Sequence, residues 1–311
     1  MDFYSPLRYP GGKGRLSDYI ELLFKGNCLN GGHYVEPYAG GASIALSLLI
    51  NEYASVAHIN DFDYSVFCFW DSIINKPDKF CKKIWDTSIT VDEWKRQKYI
   101  QNHKQEFDSL EVGFSTLFLN RTNRSGILKG GIIGGLEQHG QWKIDARFNK
   151  TDLAKRIKRV SLYKNRIKLY NQDAVGLIPQ IAAELPSNSL IYFDPPYYKK
   201  GRDLYINFYK HEDHEKIFNV INGLGDIKWI VSYDNVKPIR DLYAKFRQTT
   251  FDINYHAGNA SKGSEVFVFS DTLWVPEIEN PTNKEKIKYY AQQSVYTMRA
   301  SGGFRRSSLA L

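Results

Sequence analysis

Cysteine is scarce. Only Cys28, Cys68 and Cys81 occur in 311 residues, and none belongs to a C-x-x-C pair. An odd number without that spacing argues against a disulfide framework and against a cysteine-only zinc site, so a reducing, cytoplasmic setting is expected. Long apolar runs are also missing. The start, MDFYSPLRYPGGKGR, lacks the apolar stretch of a signal peptide, and no later segment reaches the roughly 18 apolar residues that a membrane span needs. No membrane partner is therefore expected. The glycine loops match neither G-x-G-x-x-G nor G-x-x-x-x-G-K-[ST], which weakens dinucleotide and nucleoside triphosphate assignments.

What is present is material for a core. Hydrophobic residues make up 42% and charged residues 24%, a balance that excludes wholesale disorder and fits one large domain or a domain with an insertion. The net charge of +8 favours a polyanionic partner. That charge is localised: residues 76–159 hold 18 Lys and Arg against 10 Asp and Glu, and the rest of the chain balances. Trp85, Trp94 and Tyr99 are interleaved with these basic residues, as on surfaces that grip phosphates and pack against bases. A solvated helical face has the same composition, and the cluster Lys155, Arg156, Lys158 and Arg159 opposite Leu153, Ile157 and Val160 fits such a face as well as a phosphate contact.

The flanks alternate between strand and helix patterns. HYVEPYAGGASIALSLLINEYASVAHIND reads as strand, glycine loop, helix and strand, and RIKLYNQDA, SLIYFDPPYY, HEDHEKIFNVINGLG and DIKWIVSYDN continue the alternation, with GSEVFVFS last. Gly225 is the expected stop of the HEDHE helix. The expected architecture is a doubly wound, Rossmann-like α/β domain in two parts, 1–75 and 160–275. A mainly helical insertion over 76–159 separates them, and a tail of unassigned role follows over 276–311.

Two places carry chemistry. In VEPYAGG, Glu36 ends a strand and Gly40 and Gly41 let a ligand approach the backbone; Asp61, about twenty residues on, ends the next strand where a carboxylate can accept from both ribose hydroxyls. LRYPGGKGR offers amides and Lys13 to a carboxylate or a phosphate, or makes an ordinary type II turn at Pro10-Gly11. The stronger signal is Asp194-Pro195-Pro196-Tyr197 after the apolar run LIYF. Two prolines fix the backbone, so the Asp194 carboxylate and the Pro195 carbonyl form a rigid pair of acceptors matched to the two hydrogens of an amino group. Tyr197 adds a ring that can stack on a base. His211, His214 and Glu215 resemble a helix start more than a metal site, and no metal is expected.

LRYPGGKGR, VEPYAGGAS, INDFD, FLNRTNRSG, QDA and DPPY occur in the order seen in Dam-like DNA adenine-N6 methyltransferases, the D12 class with alpha-type motif order, which the chain resembles over about residues 5–270. It departs from Dam after FLNRT, where NRSGILKGGIIGG replaces the family's continuation, so Dam's target sequence does not transfer. The resemblance implies S-adenosyl-L-methionine as methyl donor and S-adenosyl-L-homocysteine as product. By the same resemblance, Tyr9, Gly11, Gly12 and Lys13 lie near the methionine end, Glu36, Pro37, Tyr38 and Gly40 line the loop beneath, Asp61 holds the ribose and Asp173 lies by the adenine.

The implied reaction is site-specific methylation of the exocyclic amino group of an adenine flipped out of double-stranded DNA. Asp194, Pro195, Pro196 and Tyr197 would form its catalytic set, with Arg121, Asn123, Arg124 and Lys129 as the DNA contacts. YKKGRDLYINFYK is expected to order over bound DNA. Cytosine N4 presents the same two hydrogens and remains an alternative, as does a DNA-binding protein of this fold without catalysis. A cognate restriction endonuclease is a further expected partner, and a monomer suffices for the reaction.

Overall fold

The computed structural model describes residues 4–8, 13–198, 209–255 and 261–301. Seven strands form one sheet: β1 (His33–Glu36), β2 (Val56–Asn60), β3 (Ile167–Tyr170), β4 (Leu190–Phe193), β5 (Lys228–Asp234), β6 (Arg247–Tyr255) and β7 (Ser261–Phe269). Their order is β3-β2-β1-β4-β5-β7-β6. The first five are parallel, and β7 runs antiparallel to both β5 and β6.

The helices are α1 (Ser17–Gly26), α2 (Ser43–Ile50), α3 (Tyr64–Asn75), α4 (Pro77–Asp86), α5 (Val91–Asn102), α6 (Ser109–Thr122), α7 (Lys150–Ser161), α8 (Ala174–Ala182), α9 (His211–Asn222), α10 (Lys237–Leu242) and α11 (Lys284–Ser301). Strand pleating sorts the core between the two faces of the sheet. Tyr34, Leu190, Tyr192, Ile230 and Phe267 turn to one face, with α1, α2, α3 and α7; Val35, Ile191, Phe193, Val231 and Val268 turn to the other, with α8, α9 and α10. Helices on both faces of a mainly parallel sheet make this the doubly wound α/β class.

Between α3 and β3 the chain is mainly helical, interrupted over residues 127–143 by turns and a bridge between Asn123 and Ile132. Phe80 of α4, Phe114 and Phe118 of α6, and Leu153 and Ile157 of α7 join the core of the first sheet face rather than forming one of their own. Gly113 is what lets α6 lie against α3: a Cβ there would sit 2.5 Å from the Cys68 carbonyl oxygen. Polar caps start the helices where the sequence supplies them, with Asp63, Thr90, Asp108, Asn149 and Asp173 each accepting from a backbone N–H of the first turn.

One local expectation changes, and one strand joins those read from the sequence. Helix α9 ends at Asn222 with Gly223 as its cap, and Gly225 takes its positive φ of 59° only two residues later. RQTTFDINY forms β6, whose mixed polar pattern gives a weak strand signal, as befits a sheet edge. Past β7 the chain returns to α1. The Asn27 side chain bonds both the N–H and the carbonyl of Trp274, and Ile278 and Ile287 are buried.

Candidate active site

Strand β1 leads to β2 on one side of the sheet, whereas its neighbour β4 leads to β5 on the other. The crevice between their carboxyl ends is the switch point where doubly wound sheets take ligands. Both motifs singled out in the sequence meet there.

On the β1 side, Glu36 is 5% exposed. Its Oε1 accepts from the Tyr34 hydroxyl at 3.1 Å and from the Ala45 N–H, in the first turn of α2, at 3.2 Å. Its Oε2 is buried without a hydrogen-bond partner among the described residues. Burial pushes this carboxyl up to about 8, against the pull of its two donors and with a small push from Asp194. The loop then turns through Gly40 at φ 46°, a conformation that costs glycine little. Its N–H donates to Asp61 Oδ2 at 2.9 Å while its carbonyl accepts from Trp70 Nε1 at 2.9 Å. The Tyr38 and Tyr209 hydroxyls lie 3.0 Å apart.

Asp61 follows β2, and its Oδ1 accepts from the Asp63 N–H at 2.9 Å. Burial, then the Asp63 charge, pushes it up to about 7 despite both backbone donors. Its neighbour Asn60 carries no such signal in the sequence. Nδ2 donates to the Pro37 carbonyl at 2.8 Å and the Gln172 carbonyl at 3.0 Å, and Oδ1 accepts from the Gln172 N–H at 3.0 Å. One amide thus staples the loops after β1, β2 and β3. Asp173, next to Gln172, is exposed and caps α8 through the Val175 N–H at 3.1 Å.

On the β4 side, Asp194 Oδ1 accepts from Ser232 Oγ of β5 at 2.6 Å, and the Tyr192 hydroxyl donates in turn to Ser232 Oγ at 2.9 Å. Lys13 Nζ lies 3.5 Å from the same Oδ1. Burial pushes Asp194 up to about 6; the Lys13 ammonium and the Ser232 hydroxyl hold it from rising further, while Glu265 opposes them. Pro195 is buried and Pro196 half-buried. Tyr197 is buried too, with its hydroxyl bonded to Lys13 Nζ and to Glu265 Oε1 and the ammonium 4.9 Å from its ring centroid. Lys13 also donates to Glu265 Oε1 at 2.8 Å. Burial alone would lower the Lys13 ammonium, but the Asp194 and Glu265 carboxylates carry it above its ordinary value.

A family profile described as D12 class N6 adenine-specific DNA methyltransferase matches residues 9–256. The chain belongs to this family. No curated protein gives a match. Among solved structures, protein LPL1258 from Legionella pneumophila str. Philadelphia 1 is similar at 12% identity, with 92% of this chain and 93% of that one covered. Its TM-score of 0.29 carries no argument.

Membership in the D12 class makes the chain an adenine-methylating enzyme of DNA, dependent in general on S-adenosyl-L-methionine. Among the described residues no helix is long and apolar enough to cross a membrane. No group of three or more His, Cys, Asp and Glu among them is placed to hold a metal ion. Tyr9, Gly11 and Gly12 lie outside the described residues, as do residues 199–208 of the stretch expected to order over DNA and the pair Arg305 and Arg306.

The four DNA candidates divide. Arg121 is buried on α6, with its guanidinium Nε donating to the Pro6 carbonyl at 2.8 Å and Nη2 donating to the same oxygen. Asn123 is buried as well, accepting from Trp94 Nε1 at 2.6 Å and donating to the carbonyls of Ile127 at 2.9 Å and Leu128 at 3.0 Å. Both are internal fasteners of the methyltransferase rather than surface side chains. Arg124 and Lys129, on the turn that Asn123 fastens, are exposed. Glu265 and Ser232 complete the site from β7 and β5, and the sequence pattern points to neither.

Proposed function

We propose that this D12-class enzyme is a site-specific DNA methyltransferase that moves a methyl group from S-adenosyl-L-methionine to the exocyclic amino group of an adenine flipped out of double-stranded DNA. One observation carries the proposal: the Glu36–Gly40–Asp61 group and the Asp194–Tyr197 tetrapeptide stand together at the carboxyl ends of the adjacent parallel strands β2, β1 and β4.

The residues present fit the donor. Glu36 offers a buried carboxylate oxygen without a partner among the described residues, and such an oxygen is costly unless a donor arrives. Asp61 presents a carboxylate oriented by two backbone amides and suits the hydroxyls of a ribose. Pro37, Tyr38 and Gly40 would line the loop between them, Asp173 the adenine side, and Tyr9, Gly11 and Gly12 the methionine side with Lys13. When bound, the donor supplies an electrophilic methyl group on a sulfonium.

The chain's own residues orient the acceptor. Asp194 and the Pro195 carbonyl accept the two hydrogens of the adenine amino group, which turns the nitrogen lone pair toward the methyl. Pro195 and Pro196 keep those acceptors from swinging, and the Tyr197 ring stacks on the base. As the nitrogen–carbon bond forms and the carbon–sulfur bond breaks with its electron pair left on sulfur, positive charge develops at nitrogen. The Asp194 carboxylate stabilises it and receives the released proton. Extruding the base costs a few kcal/mol of unstacking, which binding must supply. Residues 76–159 form the target-recognition segment, with Arg124 and Lys129 among its exposed basic side chains. A monomer in the cytoplasm suffices for the reaction, either alone or paired with a restriction endonuclease.

The test is modification-sensitive long-read sequencing of DNA from a methylation-free host that expresses the protein, next to one that expresses Asp194→Ala. Adenine-N6 marks at one short sequence in the first, lost in the second, are expected. Marks at cytosine N4 would overturn the choice of base. A folded, expressed protein that marks no base would leave a DNA-binding protein without catalysis.

A further inference from the structure

We propose that Glu265 is a positioning residue of the methyl-transfer site, whose Oε1 gathers the Lys13 ammonium and the Tyr197 hydroxyl and so holds the catalytic carboxylate and the stacking ring in one arrangement. This rests on the methyltransferase reading above and extends it to the antiparallel edge of the sheet.

The argument starts from burial. The Glu265 side chain is 0% exposed, and a carboxylate so placed is costly unless it is paired. Its ion-pair partner is Lys13 at 2.8 Å, and the same oxygen takes the Tyr197 hydroxyl. Both partners belong to the methyl-transfer site. Lys13 opens the short 3-10 helix Lys13–Leu16 ahead of α1, and Tyr197 closes the tetrapeptide. Glu265 itself sits on β7 opposite Asp234 of β5, two residues along that strand from the Ser232 that bonds Asp194. It is thus built on an interior strand of the sheet, while Tyr197 comes from the loop after β4 and Lys13 from the first residue of a short 3-10 helix.

The consequence for chemistry is geometric. Tyr197 can face a base only while its ring is held at one angle, and its hydroxyl is anchored at Glu265. The Lys13 ammonium stands 2.8 Å from Glu265 Oε1 and 3.5 Å from Asp194 Oδ1, so Glu265 holds it at the longer distance from the catalytic carboxylate. Without Glu265 the ammonium is free to collapse onto Asp194 and occupy an acceptor that the amino group of the base requires.

Glu265→Gln tests this with shape retained and charge removed. Methyl transfer to DNA is read as kcat and KM across pH 5 to 9. The expected kcat loss is roughly tenfold to a hundredfold, the scale of a small misplacement at a reacting centre. Both KM values are expected to stay within about twofold, since neither substrate is bound by Glu265. The acid limb of kcat is expected to move to lower pH, because a negative charge that opposes ionisation of Asp194 has gone. The groups facing Asp194 are Lys13 from the N-terminal turn, Glu265 from β7, Ser232 from β5, Tyr192 from its own strand, and Glu36 and Tyr34 from β1. Lys13→Met should shift the limb the opposite way. A purely structural role moves neither limb.

Tyr197→Phe removes only the hydroxyl that Glu265 holds, and its loss should fail to multiply with that of E265Q in the double variant. A folded E265Q enzyme with wild-type kcat and acid limb overturns the proposal. If E265Q does not fold, a wild-type kcat in Y197F overturns it instead. A wild-type protein that transfers no methyl group to DNA refutes the reading on which the proposal stands, an outcome distinct from an active wild type with an unaltered E265Q.

Discussion

Ser232 Oγ donates a 2.6 Å hydrogen bond to Asp194 Oδ1 across the neighbouring strands β5 and β4. The bond favours the ionised carboxylate, the form that accepts from an amino group. Ser232→Ala should therefore raise Asp194 above its value of about 6, shift the acid limb of kcat to higher pH, and leave the Tyr192 hydroxyl without its acceptor. A hydrogen bond to a charged group contributes about 1.5–3 kcal/mol, which would carry the limb upward by roughly one to two on the pH scale. A kcat–pH series from pH 5 to 9 checks it, and an unmoved limb would contradict the assignment of that limb to Asp194.

Stability has its own pH dependence. Glu36, at about 8, and Asp61, at about 7, hold protons in the folded state that the unfolded chain has released, so their contribution falls as pH rises through those values. His58 and His214 are both lowered to about 4, chiefly by burial, so the unfolded chain holds the extra protons between about pH 4 and 6.5 and their contribution rises across that window. Asp194, raised to about 6, is a third carboxyl on the falling side, so up to about pH 6 the two histidines offset only part of the fall. Above it the carboxyls act alone. The ligand-free protein is expected to lose Tm slightly between about pH 5 and 6 and more steeply from there to about pH 8, a decline that Glu36→Gln reduces. Melting followed by circular dichroism at a series of pH values tests this. A wild-type Tm that climbs between pH 7 and 9 would sink it.

Arg121 and Arg124 stand three residues apart and have opposite surroundings. Removing the buried Arg121 leaves the Pro6 carbonyl without its donors, so Arg121→Ala should cost about 1.5–3 kcal/mol of stability and leave the salt dependence of DNA binding unchanged. Arg124→Ala and Lys129→Ala should melt like wild type and each lower the slope of log affinity against log salt by about one. Fluorescence anisotropy with a duplex at several salt concentrations separates the two cases.

These contrasts mark what is legible in a sequence. Glu36, Asp61 and Asp194 are visible because each ends an apolar strand, a local signal. Their mutual approach follows from the order of parallel strands. Arg121 misleads because residue type says nothing of burial, and the Pro6 carbonyl that claims it is distant in sequence. Ser232 and Glu265 carry no local mark at all. What brings them to Asp194, Lys13 and Tyr197 is the pairing of β5 with β4 and of β7 with β5, which a linear pattern does not contain. β6 escapes for a related reason, since an edge strand with polar residues on its outer side lacks the apolar run by which buried strands announce themselves.

Asn60 offers the sharpest separation of binding from chemistry. Its side chain is 1% exposed and makes three hydrogen bonds, two donated to the carbonyls of Pro37 and Gln172 and one accepted from the Gln172 N–H. None of them touches the tetrapeptide. Asn60→Asp keeps the volume but faces two carbonyl oxygens with a carboxylate, and Asn60→Ala leaves all three groups unpaired. Since each buried group left unpaired costs about 1–3 kcal/mol, both variants should lower Tm, the alanine variant by several degrees. Because the staple fixes the loops that bear Gly40, Asp61 and Asp173, the KM for S-adenosyl-L-methionine should rise about tenfold or more, while kcat at saturating donor changes little. Steady-state kinetics at several donor concentrations decides it. A loss confined to kcat would mean that the loops after β1, β2 and β3 serve the base rather than the methyl donor.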